Sequence, residues 1–329
     1  MGRKYKFGIL GTGEIARRMA TAFKNVEGAT LYAVASRNQQ SANLFAKECG
    51  VEKAYGSYEA MLSDPEVDVV YVATPHHLHH SNTLMCLEHG KHVLCEKPFA
   101  VNGREVREMI EKAREKKLFL MEAMWTRFLP QIIKAREIIE SGQLGKSKLL
   151  TADFCLKFDF DPKGRQFNID LIGGSLLDIG IYPIFLAMYM MGNPQRISSL
   201  AGIGETGVDY NCSMTFGYPD ESMAVLYSST VASTGIKASI YCENGSIVFD
   251  NWWFLPLNFK VIDNAGIETP YTFDFVGNGY NYEVDEVVRC LNKGQIESEK
   301  MSWQFSLDLI DTLDKIRKDC NIVYPKHDL

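Results

Sequence analysis

The segment Gly11-Thr12-Gly13-Glu14-Ile15-Ala16 restricts the fold of this chain more than any other. It fits G-x-G-x-x-G/A. It stands between a short apolar run, Lys6–Leu10, and apolar residues at helical spacing, Ile15, Met19, Ala22, Phe23 and Val26. The first glycine permits a tight turn out of a strand. The second leaves the backbone open to a pyrophosphate, and a small third residue, here Ala16, lets helix and strand pack closely. The helix N-terminus adds free N–H groups and a favourable dipole. Gly11, Thr12, Gly13, Glu14 and Ile15 are therefore the expected phosphate cradle at the first crossover of a parallel sheet.

The next segments continue that alternation. Leu31–Ala35 reads as the second strand and Ser41–Cys49 as a helix stopped by Gly50. Val67–Ala73 is almost wholly apolar, as a strand covered on both faces should be. His92–Cys95 leads into Glu96-Lys97-Pro98, and Leu118–Met121 reads as a further strand. The pattern changes after Pro130. Long β-type runs follow, Leu149–Phe160, Ser213–Phe216, Met223–Thr230, Ile236–Tyr241 and Ser246–Phe249, interrupted by one apolar helix over about Gly173–Met191. At 329 residues the chain fits two domains. The expected fold is α/β: a doubly wound Rossmann domain over 1–125, then an α+β domain over 126–329 with a large, mostly antiparallel open sheet. The last helix, Trp303–Arg317, is expected to return to the first domain.

Cofactor choice is read at the end of the second strand. Ala35-Ser36-Arg37-Asn38 lacks the acid that would hold a ribose hydroxyl pair and would repel a 2′-phosphate. Ser36 can donate a hydrogen bond to such a phosphate and Arg37 a charge-assisted one, so NADP(H) is the expected cofactor. With 41 acidic and 35 basic residues, the chain has no electrostatic footprint for nucleic acid. Eight cysteines without a CxxC pair read as reduced thiols. The apolar run Phe7–Leu10 falls short of the about 7–15 residues of a secretory core. Lys6 stands where a myristoylation signal at Gly2 needs Ser or Thr. No apolar run approaches the ~18 residues of a membrane span, so a cytoplasmic, membrane-free protein is expected.

Longer motifs point further. Val72-Ala73-Thr74-Pro75-His76-His77-Leu78-His79 and Gly90-Lys91-His92-Val93-Leu94-Cys95-Glu96-Lys97-Pro98 come first. MEAMWTRFLP (121–130), GGSLLDIGIYP (173–183), GYNYEVDEVVRCLNKGQIES (279–298) and IVYP (322–325) follow in order. Together they resemble the glucose–fructose oxidoreductase/inositol dehydrogenase (Gfo/Idh/MocA) family, and within it the branch of dihydrodiol and NADP-dependent D-xylose dehydrogenases. The resemblance implies an active site between the two domains and a C-terminal sheet that forms a homodimer or higher oligomer. It implies that Lys97 is the proton-transfer residue, with Asp178 and Tyr182 beside it. It also places Thr74, Pro75, His76, His79 and Glu96 around the cofactor. Tyr182 stands where inositol-type members have His, which favours dihydrodiol or aldose substrates. His76 stands where many members have Asn.

The residues support that chemistry. Moving hydride to a nicotinamide requires a group that takes the carbinol proton. Lys97 lies just past a strand's C-terminal end, where open parallel sheets bind ligands, and burial can lower a lysine pKa toward neutrality. Asp178 and Tyr182, four apart in an apolar run, are expected on one helix face, Asp178 at substrate hydroxyls or Lys97 and Tyr182 at the reacting oxygen. Trp125, Arg127, Phe128 and Trp253 are expected to wall the substrate, with Arg165 at a polar group, although core packing explains Trp253 as well. His76, His77, His79 and His80 are read as a loop beside the nicotinamide, with no metal. The expected function is an NADP(H)-dependent oxidoreductase acting on a secondary alcohol or carbonyl of a sugar, cyclic polyol or trans-dihydrodiol. The alternatives are a non-catalytic nucleotide sensor or partner-binding protein, and an NAD-retaining glycoside-cleaving relative.

Overall fold

A computed structural model describes residues 3–328, so Gly2 lies outside the described residues. The chain opens with β1 (Tyr5–Leu10), α1 (Glu14–Ala22), β2 (Ala29–Ala35), α2 (Gln39–Cys49), β3 (Lys53–Tyr55), α3 (Tyr58–Leu62), β4 (Val69–Val72), α4 (His79–Glu88), β5 (His92–Glu96), α5 (Gly103–Lys116) and β6 (Leu120–Ala123). It continues with α6 (Pro130–Glu140), β7 (Ser147–Cys155), α7 (Ile181–Met191), β8 (Arg196–Ile203), β9 (Asp209–Gly217), β10 (Met223–Ser229), β11 (Ala238–Cys242), β12 (Gly245–Phe249), β13 (Phe259–Asp263) and β14 (Glu268–Tyr271). It ends with α8 (Asn281–Asn292) and α9 (Trp303–Asp319). Two units result, one of residues 1–128 and 275–307, the other of 129–274 and 308–329.

The first unit holds a six-stranded parallel sheet in the order β3-β2-β1-β4-β5-β6. Phe7, Ile9, Val34, Val70, Val72, Val93 and Leu94 are fully buried, which explains why these strands read as unbroken apolar runs. The strand order reverses between β1 and β4, so the loops after these strands diverge and leave a crevice. Residues 275–307 complete this unit. The Trp303 indole N–H donates to the Leu120 carbonyl at 2.8 Å, and Ser306 Oγ donates to Glu122 Oε2 at 2.7 Å.

The second unit is built on an eight-stranded sheet, β14-β13-β12-β11-β7-β10-β9-β8, in which β7 and β10 are the parallel pair and all other neighbours are antiparallel. Helix α7 packs on β7 and β10. The expected helix over Gly173–Met191 is divided: Leu176–Gly180 forms one wide π turn, and the α-helix starts only at Ile181. The helical segment Ile169–Met191 is long and apolar enough to cross a membrane, contrary to the shorter run read from sequence, yet 94% of its apolar window is buried inside the fold. It is a core element here. The sheet's other face is open. Ala224 and Leu226 are buried, whereas Met223, Val225 and Tyr227 alternate with them outward. Cross-strand register sets Leu200, Ser213 and Tyr227 in one row and Met223, Leu149 and Tyr241 in another. The eight cysteines are free thiols.

Glu122, on β6, makes a pH-dependent contribution. Its carboxylate accepts from Phe99 N and Ser306 Oγ, but burial raises its pKa from 4.5 to about 7. A carboxyl raised in the folded state stabilises it at low pH, and that stability is lost as pH rises through the folded value. The interval from 4.5 to about 7 corresponds to about 3 kcal/mol at most. Glu122→Gln is expected to lose less stability than the wild type between about pH 5 and 8. Urea midpoints measured at both pH values check this, and equal losses in the two proteins would refute it.

Candidate functional site

In the first unit the site begins at the turn between β1 and α1. Gly11 has φ +106°, and a Cβ there would stand 2.7 Å from the Ala73 carbonyl oxygen. Only glycine suits that turn. Gly13 is different: its φ is −75°, and a Cβ would meet nothing within 4 Å. It is the N-cap of α1 and offers no side chain to the first N–H groups of the helix. Open space before uncapped N–H groups fits a pyrophosphate. Arg17 donates from Nη1 to the Thr12 carbonyl at 2.6 Å and pairs with Glu48, while Glu14 is exposed beside Arg18.

At the end of β2, Ser36 is half-buried with its N–H bonded to the Tyr55 carbonyl, and Arg37 is exposed near Tyr58. Asn38 caps α2 through its Oδ1, which accepts from Gln40 N and Ser41 N. The loop after β2 thus presents a hydroxyl and a guanidinium, with its polar amide spent on the helix. This suits a 2′-phosphate better than a ribose diol.

The loops after β4 and β5 are joined by His79. Its Nδ1 lies 2.8 Å from the Pro98 carbonyl and its Nε2 2.8 Å from the Thr74 carbonyl. Burial lowers its pKa to about 4, so the ring is neutral. Of its two carbonyl contacts a neutral ring makes one as an N–H donor. Thr74 is held further by Asn82, whose amide donates to Thr74 Oγ1 at 2.9 Å. Lys97 follows β5 directly. Its N–H donates to Glu96 Oε2 at 3.1 Å, and the Tyr71 hydroxyl donates to Glu96 Oε1. His76 is buried next to His79, their ring centroids 5.6 Å apart. Among the described residues no group of His, Cys, Asp or Glu has the arrangement of a metal centre.

Trp125 and Phe128, expected to face a substrate, are each 3% exposed. Trp125 stacks on Tyr280 at 4.4 Å and 8°, a partner that the sequence reading did not find because it lies 155 positions on (280 minus 125). Arg127 donates from Nε to the Lys300 carbonyl at 2.8 Å.

The second unit builds Asp178 and Tyr182 on an anchored turn. Asp209 Oδ2 accepts from Ser175 N, Ser175 Oγ and Leu176 N at 3.0, 2.8 and 2.7 Å. Gly174 has φ +114°, and a Cβ there would stand 2.2 Å from Asp209 Oδ1. Gly174 thus lets this backbone reach Asp209, whereas a Cβ at Gly173 would stand 2.9 Å from the Arg165 and Gln166 carbonyl oxygens. The Tyr324 hydroxyl donates to the Gly173 carbonyl at 2.7 Å, which gives the C-terminal Tyr-Pro its place. Burial pushes Asp209 up to about 6 despite its donors.

The π turn widens the spacing on which a shared helix face for Asp178 and Tyr182 was expected. Asp178 is 5% exposed, and Arg165 clamps it with two contacts of 2.9 Å, Nη1 to Oδ1 and Nη2 to Oδ2. Arg165 therefore acts on Asp178. The Tyr182 ring lies 5.3 Å from both Phe154 and Phe254, which stack on each other at 4.3 Å. Trp252, exposed with φ +64°, flanks Phe254. Trp253 is 1% exposed and donates its indole N–H to the Asp153 carbonyl at 3.1 Å, which makes it a core residue.

The description "oxidoreductase family, NAD-binding Rossmann fold", of GFO/IDH/MocA type, matches residues 5–124, and the GFO/IDH/MocA C-terminal domain matches residues 132–248. The chain is 36% identical to trans-1,2-dihydrobenzene-1,2-diol dehydrogenase of Xenopus laevis, over 97% of this chain and 99% of the relative. It is 33% identical to the D-xylose 1-dehydrogenase (NADP(+)) of Hypocrea jecorina, over 83% and 78%. The crystal structure of aldose-aldose oxidoreductase from Caulobacter crescentus, complexed with glycerol, superposes with TM-score 0.87 at 25% identity, covering 97% of this chain and 98% of that one.

The two glycines of the turn predict opposite outcomes. Gly11→Ala is expected to destabilise the protein by about 2–4 kcal/mol, since both φ and the Ala73 contact oppose a side chain. Gly13→Ala should stay within about 1 kcal/mol of the wild type, yet weaken NADPH binding by filling the cradle. Thermal unfolding and NADPH fluorescence titration of both variants test this. A Gly13→Ala protein that binds normally would remove the phosphate assignment.

Proposed function

This chain belongs to the GFO/IDH/MocA oxidoreductase family, and from that premise we propose that it transfers hydride between NADP(H) and a secondary alcohol or carbonyl of a sugar, cyclic polyol or trans-dihydrodiol. The observation that carries the proposal is the first unit's combination of an open cradle at Gly13, Ser36 and Arg37 without an acid at the end of β2, and Lys97 at the end of β5. The NADP-dependent xylose dehydrogenase and the dihydrodiol dehydrogenase among its relatives support the cofactor and the substrate classes.

In this reading the nicotinamide, when bound, supplies the hydride acceptor or donor. Gly11, Thr12, Gly13, Glu14 and Ile15 hold the pyrophosphate, Ser36 and Arg37 the 2′-phosphate. Thr74, Pro75, His76, His79 and Glu96 shape the loops beside the ring. Lys97 takes the carbinol proton during oxidation and returns it during reduction. Tyr182 hydrogen-bonds the reacting oxygen, and Asp178, oriented by Arg165, accepts from a neighbouring substrate hydroxyl. The Phe154–Phe254 pair beside Tyr182 favours a substrate that shows one apolar ring face. In this reading Trp125, Arg127 and Phe128 stiffen the first unit's part of the site, Trp125 through its stack on Tyr280. The eight free thiols suit a reducing, cytoplasmic setting.

Lys97→Met is expected to lower turnover about 10²–10⁴-fold while NADPH still binds. The assay pairs a panel of aldoses, polyols and dihydrodiols with NADP and NAD. Unchanged turnover would remove Lys97 from the chemistry, and a preference for NAD would remove the roles of Ser36 and Arg37.

The open face of the second unit's sheet carries Leu200 at 74% and Tyr227 at 41% exposure, beside Met223, Val225 and Tyr241. We infer that a second copy of this chain covers it, since a contiguous apolar face of this kind marks an interface. Sedimentation of the wild type should give a dimer or larger assembly. Val225→Glu with Tyr227→Glu should shift it to monomer. A monomeric wild type would exclude the assignment.

A further inference from the structure

Glu283, in the first turn of α8, is fully buried, and neither of its carboxyl oxygens has a hydrogen-bond partner among the described residues. The dipole of the helix N-terminus favours an anion there, but no N–H reaches the oxygens. An ionised carboxylate so placed loses its hydration without replacement. The ionisable groups within electrostatic range of it are Glu96 at the end of β5 and Tyr71 in β4. Tyr280 stands close to Tyr71, and Glu122 lies within electrostatic range of Glu96 and Lys97. Glu96 is the better anion of the two acids. It accepts from the Tyr71 hydroxyl on one oxygen and from the Lys97 N–H on the other. Two carboxyls in one apolar site do not both ionise near neutrality.

We propose that Glu283 and Glu96 form an acid–carboxylate pair that holds one proton, and that Glu283 is thereby a positioning residue keeping a single negative charge behind Lys97. Burial and the charge of Glu96 both raise Glu283 far above the usual carboxyl range. The retained charge restrains the loop that carries Lys97, because Glu96 Oε2 accepts from the Lys97 N–H. The consequence for Lys97 rests on the proton-transfer role proposed above, whereas the pair itself does not.

Infrared spectra of the full chain near about pH 9 test the pair. Glu122, with a pKa of about 7, is ionised under those conditions. The wild type is expected to show a protonated-carboxyl C=O band that Glu283→Gln lacks. Absence of the band in the wild type, or its survival in the variant, overturns the proposal. The kinetic test uses NADP with D-xylose and the trans-dihydrodiol of benzene. Glu283→Leu should lower kcat about tenfold, change the KM for NADP by less than about twofold, and displace the acid limb of the pH–rate profile. Glu283→Gln keeps a neutral donor and should return the limb to its wild-type position. A Gln variant displaced as far as the Leu variant overturns the positioning role. Should the wild type turn over neither compound, the functional reading falls while the infrared band still decides the pair.

Discussion

Parallel pairing of β4 with both β1 and β5 is the constraint on which the first unit's chemistry depends. Val72 lies beside Leu10 and Cys95, so the loops carrying Gly11, Thr74 and Lys97 all leave the sheet at the same end. Both faces of this sheet are covered, and its interior is apolar. Polar groups can therefore work only where the strands stop. His79 then fixes two of these loops against each other through a single neutral ring, which costs no buried charge.

The second unit solves a similar problem without a parallel sheet. Its reactive candidates sit on a stretch that is otherwise wholly apolar, and an unsupported turn there would leave several backbone N–H groups buried and unpaired. Asp209 accepts two of these N–H groups and the Ser175 hydroxyl, and Gly174 permits the approach. The arrangement spends a buried carboxylate to hold one turn of backbone. Arg165 does for the Asp178 side chain what Asp209 does for the main chain at Ser175 and Leu176, since a bidentate clamp sets the plane of the carboxylate as well as its charge.

Buried acids recur beneath the reactive loops, at Glu96, Glu122, Asp209 and Glu283. Burial raises Glu122, Asp209 and Glu283, so these three oppose stability as pH rises. Such groups persist where orientation or charge control matters more than stability. Of the four only Glu96, within Glu96-Lys97-Pro98, stands out in the sequence. Glu283 reads as one polar residue in an amphipathic helix, and Glu122 as an interruption in a strand.

Much was legible without coordinates. The turn at Gly11–Ala16, the apolar strands and the missing acid after Ala35 report local backbone needs and local charge, which neighbouring residues specify. Those features determined the parallel sheet, and they carry the proposed cradle and the proposed preference for a phosphorylated nucleotide. The π turn was hidden, as was the binding of Asp209 at Ser175 and Leu176, 34 and 33 positions away in the chain. So were the Trp125–Tyr280 stack, the Arg165 clamp and the core position of Trp253. Local periodicity says which face of an element is apolar, and it carries no record of the distant side chain that meets it. Tertiary packing alone decided which aromatic rings became core, which carboxyl groups lost their water, and where Asp178 points.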